Sequence, residues 1–410
     1  MYERYTAFFH LRAVAGQGAM VGVFFLYDIV LRKQLHASRW EILLAMLVPA
    51  IGQLMAVIWN PATSGGWISR HPFRILGIGV HSLLLLPLVT GGDWTATQFA
   101  WLVAFVWLAQ MLLIPLQNGI LARNYREESR GRLFGRAVAV QSLFNVGTSV
   151  PIGLWLDKDP AAWPWAFGFA ALAAVYSYRQ WGRMRRRRSA APRPDLDVHT
   201  SAWAAIKRDK TFLAFEGCFM LYGIGFLAMQ PVLPLFLVDE VGVSYSDVAL
   251  ARNAIFWSVL VLASAAMGKL GDRLGILKLG ALGFATLSLF PLVLLLFPNH
   301  FGLFLGYGVY GLAMCMVNIT WNLGPLTMAR GRDPEPYLNA HVALVGVRAI
   351  IGMTAATFVH QAAGSRPVFL GVIGFELIAA ALMLWLAVAT GRAWRPVTED
   401  VHVIDPRSSR

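Results

Sequence analysis

Charged side chains are scarce in this chain. Asp, Glu, Lys and Arg together supply 14% of its 410 residues, against about 25% in a typical soluble domain. With 57% hydrophobic residues and a mean hydropathy of +0.57, an ordinary soluble fold is excluded. Cysteine is nearly absent. Cys218 and Cys315 both fall inside apolar stretches, which argues against a disulfide framework or a Cys-based metal site and suits small packing residues. No G-x-x-x-x-G-K-[ST] phosphate loop and no H-E-x-x-H pair occurs, so neither a nucleotide-driven engine nor a zinc hydrolase is encoded. The polar segments are too short for a catalytic domain. The expectation is a protein that is not an enzyme and that needs no cofactor or metal.

What is present is a succession of apolar runs. They fall at 11–31, 40–60, 75–91, 97–121, 134–156 and 163–179, then at 211–238, 247–268, 278–297, 301–328, 338–362 and 366–390. Each approaches the roughly 20 residues that a helix needs to cross a bilayer. In hydrocarbon a helix satisfies its own backbone, whereas an isolated strand does not. The expected fold is therefore an all-α membrane protein with twelve transmembrane helices in two pseudo-symmetric six-helix bundles. The bundles span residues 1–180 and 211–390. A basic linker, 181–210, carries Arg183, Arg185, Arg186, Arg187 and Arg188, and a polar tail covers 391–410. The apolar run that follows Met1 to Arg12 is too long for a signal-peptide core and is read as a retained first helix.

Net charge is +13, which on a soluble protein would suggest nucleic acid. Its distribution suggests a bilayer instead. With the amino terminus inside, about 28 of the 35 Lys and Arg residues fall in inner loops and tails, and only Arg32, Lys33, Arg39, Lys158 and Arg366 in outer loops. Both termini are expected to be cytoplasmic, in an inner or plasma membrane. The remaining two, Arg252 and Arg348, fall inside runs.

The two sets look like a repeat. Ala37-Ser38-Arg39-Trp40-Glu41 precedes the second run and Val243-Ser244-Tyr245-Ser246-Asp247 the eighth, about 206 residues apart, and Gly119 and Gly324 are about 205 apart. Internal duplication of this kind is common in transporters.

The seventh run holds Gln230-Pro231-Val232-Leu233-Pro234-Leu235, and the eighth ends in Gly268-Lys269-Leu270-Gly271-Asp272-Arg273-Leu274-Gly275. The latter resembles the loop signature G-x-x-x-D-R/K-x-G of the major facilitator superfamily. Tyr125-Arg126-Glu127-Glu128-Ser129-Arg130-Gly131-Arg132 looks like that family's loop between helices 4 and 5. The resemblance covers the whole chain in architecture, and its sharp motif covers one loop. Only Lys278 represents the trailing basic residues, and the corresponding first-half loop, Pro61 to Arg70, has Gly65 and Gly66 where an acid would stand. The resemblance implies secondary active transport of a small solute by alternating access. It also implies a gate motif of Gly268, Asp272, Arg273 and Gly275, in which Asp272 meets the N-terminus of the fifth helix near Arg130 and Arg132. Plain solvated loop charges are the other reading of Asp272 and Arg273.

Charges inside spanning helices are functional candidates by default. Arg348 lies ten residues beyond Leu338, about 15 Å deep, and shares a face with His341. It is expected either to contact an anionic substrate or to pair with Glu376. Arg252 is expected to snorkel outward or to pair with Asp247. Asp28, Glu216 and Glu376 are the candidates for coupling to a proton. His81 is read as a hydrogen-bonded packing residue. Polar stripes mark the walls of a wet cavity: Gln17, Tyr27 and Asp28 on the first helix, Gln110, Gln117 and Asn118 on the fourth, and Gln141 and Asn145 on the fifth. The seventh adds Tyr222 and Gln230, and the tenth Tyr307, Tyr310, Met314, Asn318, Trp321 and Asn322. Interhelical hydrogen bonding is the alternative for each singly. The functional expectation is a proton-coupled exporter of drug-like or metabolite solutes, working as a monomer, with the bilayer and a small-molecule substrate as partners and no nucleic acid. An organic-anion importer, or a non-transporting assembly or lipid-handling protein of the same fold, are the alternatives.

Overall fold

The computed structural model describes residues 2–58, 71–184, 207, 209–329 and 334–391. Most of the 181–210 linker, the 391–410 tail and the Pro61–Arg70 loop lie outside the described residues. The described chain is helical. Its helices are α1 (Glu3–Lys33), α2 (Arg39–Ile58), α3 (Phe73–Val89), α4 (Ala96–Asn124), α5 (Glu127–Lys158) and α6 (Trp163–Arg183). The second set is α7 (Lys210–Val241), α8 (Tyr245–Leu274), α9 (Ile276–Leu296), α10 (His300–Ala329), α11 (Glu335–Ala363) and α12 (Ser365–Thr390). Among the described residues, nine are long and apolar enough to cross a membrane, all but α2, α3 and α6.

Packing repeats between the halves. α1 lies against α5 and α6, and α2 against α4; α7 lies against α11 and α12, and α8 against α10. The halves meet through α2 on α11 and through α5 on α8, contacts that exchange under the same two-fold relation. The repeated segments before the second and eighth runs have a shared physical role. Ser38 with Glu41 and Ser244 with Asp247 each form a reciprocal cap, side chain to backbone in both directions, at the starts of α2 and α8. Small residues allow the closest crossings. A Cβ on Gly18 would lie 2.2 Å from the Gln141 carbonyl oxygen, and one on Gly352 would lie 2.4 Å from that of Ile224, so α1–α5 and α7–α11 approach backbone to backbone.

Several helices depart from regular winding, and two departures build the site. α1 is interrupted at Phe25–Leu26. α8 widens into a π-helical stretch over Ala249–Ile255, a feature common at functional positions.

Candidate functional site

A cavity of about 370 Å³ lies between the halves. Its walls come from α1, α2 and α4 on one side and α7 to α11 on the other. Nine of its 23 lining residues are aromatic, a lining suited to organic solutes. Its charged residues are Asp28 and Arg252, and they face each other. Arg252 Nη1 donates to Asp28 Oδ1 at 3.0 Å and Nη2 to Oδ2 at 2.9 Å, a bidentate pair. Arg252 Nε also donates to the Tyr307 hydroxyl at 3.3 Å.

The break in α1 explains why the pair sits here. Phe25 carbonyl accepts from Arg252 Nη1 at 2.7 Å, and the Ile29 amide donates to Asp28 Oδ1 at 2.9 Å. In an unbroken helix those two backbone groups would bond each other. The ion pair thus satisfies both groups that the break exposes, as buried backbone requires. Tyr27, Gln53, Gln230, Tyr307 and Tyr310 complete the polar part of the wall.

One end of the bundle ties the halves together. Arg32 of α1 forms a bidentate pair with Asp239 of α7, at 2.7 to 3.0 Å, and Lys33 Nζ donates to the Val243 carbonyl at 3.0 Å. Asp157, near the end of α5, accepts from the amides of Tyr245 and Ser246 at 2.7 and 3.0 Å, so it caps α8 from the opposite half. Gly153 permits this approach, since a Cβ there would lie 2.9 Å from Ser246 Cα. Among the described residues, every hydrogen bond or ion pair joining the halves belongs to this tied end or to Asp28–Arg252. At the opposite end, which carries the α4–α5 and α8–α9 loops, no such bond joins one described residue to another.

Of the residues that the sequence singled out, Tyr27, Asp28, Gln230, Arg252, Tyr307 and Tyr310 line the cavity. Gln17 and Gln141 are half-buried, and Asn145 is buried beside Gly22 where α1 crosses α5. Gln117 is buried, Asn118 exposed. Asn318 and Asn322 are exposed further along α10 toward the untied end, Asn322 Nδ2 donating to the Asn318 carbonyl at 2.7 Å. Trp321 is half-buried, its ring 5.2 Å from that of His341.

Two charge assignments change. Arg252 neither snorkels nor pairs with Asp247, because the break in α1 offers it both a carboxylate and a carbonyl. Asp247 is engaged by Ser244 and by His300 at 3.0 Å instead. Arg348 is not among the residues lining the cavity. It is buried against α7, where Nη1 donates to the Phe219 carbonyl at 3.0 Å and its stem fills the space over Gly223. It forms no ion pair with Glu376. His341, on the same helix, pairs with Glu216 at 2.8 Å, both nearly inaccessible. Glu376 is buried with Oε2 unpartnered. Glu216, His341, Arg348 and Glu376 therefore sit within the second half, behind the cavity wall.

At the untied end Asp272 and Arg273 are exposed, and Asp272 bonds to none of the described residues. Arg132 is exposed as well, and the Arg130 side chain is outside the described set. Gly275, at φ 84°, makes the turn between α8 and α9 that a side chain would strain. Sequence reasoning passed over Gln53, Trp107 and Trp257 as cavity residues. Gln53 had a signal, a lone amide in the apolar second run.

The family model of the Major Facilitator Superfamily matches residues 11–332. The chain belongs to the major facilitator superfamily. Solved structures agree on the fold. A mutant of the nucleoside transporter NupG aligns with TM-score 0.68 and 13% identity, covering 94% of this chain and all of that one. A bacterial homologue of the human lysosomal transporter Spinster, inward-facing and unoccupied, gives 0.62 and 13%, covering 96% and 99%. An auto-inhibited POT family peptide transporter gives 0.64 and 11%, covering 95% and 98%. No curated protein matches the sequence. Membership of the superfamily makes this a multi-pass membrane protein with a transporter fold.

Proposed function

We propose that this superfamily member is a secondary transporter that carries uncharged, planar organic solutes through the cavity between its halves. The carrying observation is the wall: nine aromatic rings around a single pair of opposite charges that already neutralise each other. Such a wall rewards stacking and a few hydrogen bonds to Tyr27, Gln53 or Gln230, and offers no unmatched charge. A nucleoside, named for one structural relative, is a solute of this kind. An organic anion is less favoured, because Arg252 is already met by Asp28 and Arg348 lies outside the cavity.

Alternating access is the mechanism this reading uses, with the halves rocking about the cavity. Twelve crossings and cytoplasmic termini in an inner membrane follow from the distribution of Lys and Arg. The tied end then faces outside. Proton-driven export is the proposed direction, with the monomer as the working unit. Flux into proteoliposomes tests it. With a pH gradient imposed, a neutral heteroaromatic such as uridine should move faster than an aromatic carboxylate of similar size. Preference for the carboxylate would favour the anion importer. No flux of either, in vesicles where the protein is folded, would favour a non-transporting role.

A further inference from the structure

Two exposed rows of side chains meet on the first half, outside the cavity. On α6, Trp165, Phe169, Leu172, Tyr176, Arg179 and Arg183 are exposed at spacings of three and four, so they lie along one side of the helix. On α1, Tyr5, Phe8 and Arg12 do the same, and Gly16 comes next in the row. The rows converge there, since a Cβ on Gly16 would lie 2.9 Å from Tyr176 Cδ1. Two bonds fix the levels of the helices. Ser177 Oγ donates to the Ala13 carbonyl at 2.8 Å, and the Tyr5 hydroxyl donates to the Arg183 carbonyl at 3.3 Å. Arg12 and Arg179 therefore stand at nearly one height, and Arg183 about one turn nearer the untied end.

Along α6 the chemistry follows the profile of a lipid leaflet. Apolar Phe169 and Leu172 come first, then Tyr176, then the guanidinium groups. Those groups have no acid to meet. α6 carries no Asp or Glu, and α1 carries only Glu3 ahead of Asp28. Glu3 is held by Arg126 at 3.5 Å and by the Ser129 hydroxyl, and Asp28 by Arg252. Among the described side chains, the flanking α3 and α5 add Arg74, Arg132 and Arg136, and no acid short of Asp157 at the tied end. Arg12, Arg179 and Arg183 form no ion pair with a described residue. Rings and one amide orient them without neutralising them. Arg12 Cζ lies 4.9 Å from the centre of the Phe8 ring, Arg183 Cζ lies 5.8 Å from that of Phe9, and Arg183 Nη1 donates to Gln180 Oε1 at 3.3 Å. Arginine on a membrane-facing surface is compensated by a partner or by the head groups.

We infer that an anionic phospholipid occupies this seam, with its phosphate among Arg12, Arg179 and Arg183 and its acyl chains along Leu172 and Phe169. The planar guanidinium fork matches a phosphate in both geometry and charge. Basic pockets between membrane helices select anionic head groups for this reason. The lipid braces the start of α1 against the end of α6. It lies outside the cavity, so the site stands whether or not the protein transports.

Native mass spectrometry of the full chain tests the selectivity, with phosphatidylglycerol and phosphatidylcholine of identical acyl chains supplied in equal amounts. Phosphatidylglycerol should be retained preferentially. Arg12→Gln with Arg183→Gln should weaken its retention by about fivefold per charge removed. Arg12→Lys with Arg183→Lys should keep most of it. Lys210→Gln with Lys278→Gln makes the same change in net charge at exposed positions on the second half, and should leave retention as it was. Equal retention of the two lipids, or equal losses in the Gln pair and in the second-half control, overturns the inference. Thermal unfolding separates a lipid from a free anion. If inorganic phosphate stabilises the protein as much as phosphatidylglycerol does, the ligand is phosphate and the lipid is rejected. Photoactivatable phosphatidylglycerol needs no substitution. In liposomes it should label residues 5–16 and 172–183 of the unaltered protein, and labelling confined to other segments overturns the inference however the variants fold.

Discussion

The two halves share a fold and a packing plan but differ in what is buried between their helices. Apart from Asp28 at the interface between the halves, the first half buries no carboxylate or guanidinium among the described residues. His10 Nδ1 meets the Tyr125 hydroxyl at 2.8 Å, Asn124 donates to Thr6 at 3.1 Å, and Tyr178 bonds Gln110 beside His81. The second half buries several such groups: Glu216 with His341, then Arg348 and Glu376. The lesson concerns tolerance. A neutral hydrogen bond is worth about 1 kcal/mol net, because its loss returns both groups to other partners or water. Removing one member of a buried charged pair leaves the other stranded and costs about 3–5 kcal/mol. The second half is then the more rigidly specified bundle, and the first the more permissive.

Three substitutions break or sharpen this contrast. The largest effect is expected for Glu216→Ala, which deprives buried His341 of its partner and should destabilise the protein by about 3–5 kcal/mol if the pair is ionised. Thermal unfolding in detergent measures it. A loss no greater than that of a first-half substitution would mean that the pair is a neutral hydrogen bond, and the contrast would disappear. Next comes Tyr178→Phe in the first half, which removes the hydroxyl between Gln110 and His81 and should cost about 1 kcal/mol. A collapse of folding there would show that neutral networks are as unforgiving as charged ones. The smallest effect on stability is expected for Asp272→Asn, since Asp272 is exposed and unbonded among the described residues. Its effect should appear in the balance between conformations. If Asp272 meets the N-terminus of α5 when the untied end closes, losing that contact costs about 1 kcal/mol. Spin labels on Asp93→Cys and Asn299→Cys, exposed loop positions on opposite halves at the tied end, should then show the population at long distance fall several-fold. An unchanged distribution would leave Asp272 as a solvated loop charge.

Much of the architecture is legible in the sequence because it depends on local rules. Run length and loop charge mark the helices, and Ser38-x-x-Glu41 and Ser244-x-x-Asp247 mark two helix starts. The wall of the cavity is legible where a polar side chain interrupts an apolar face, as at Tyr27, Gln230 and Tyr310. Arg252 shows where local reading ends. Its partner is 224 residues away across the interface, and what attracts it is a break in α1 that no single residue announces. Arg348 shows a second limit. Its depth along α11 follows from counting residues. The direction it faces follows from Gly223 on α7, whose missing side chain makes the space it occupies.

The cap that Asp157 places on α8 has a further consequence. The amides of Tyr245 and Ser246 lie in the first turn of that helix and have no donor–acceptor partner within it. When the halves part at the tied end, both amides lose their carboxylate together, and the medium that can receive them is water. Opening is therefore also a wetting event, in which solvent must enter as far as Tyr245 before the halves can separate. Osmolytes excluded from protein surfaces oppose any change that exposes more of that surface. Osmotic strength is thus expected to bias which way the molecule faces.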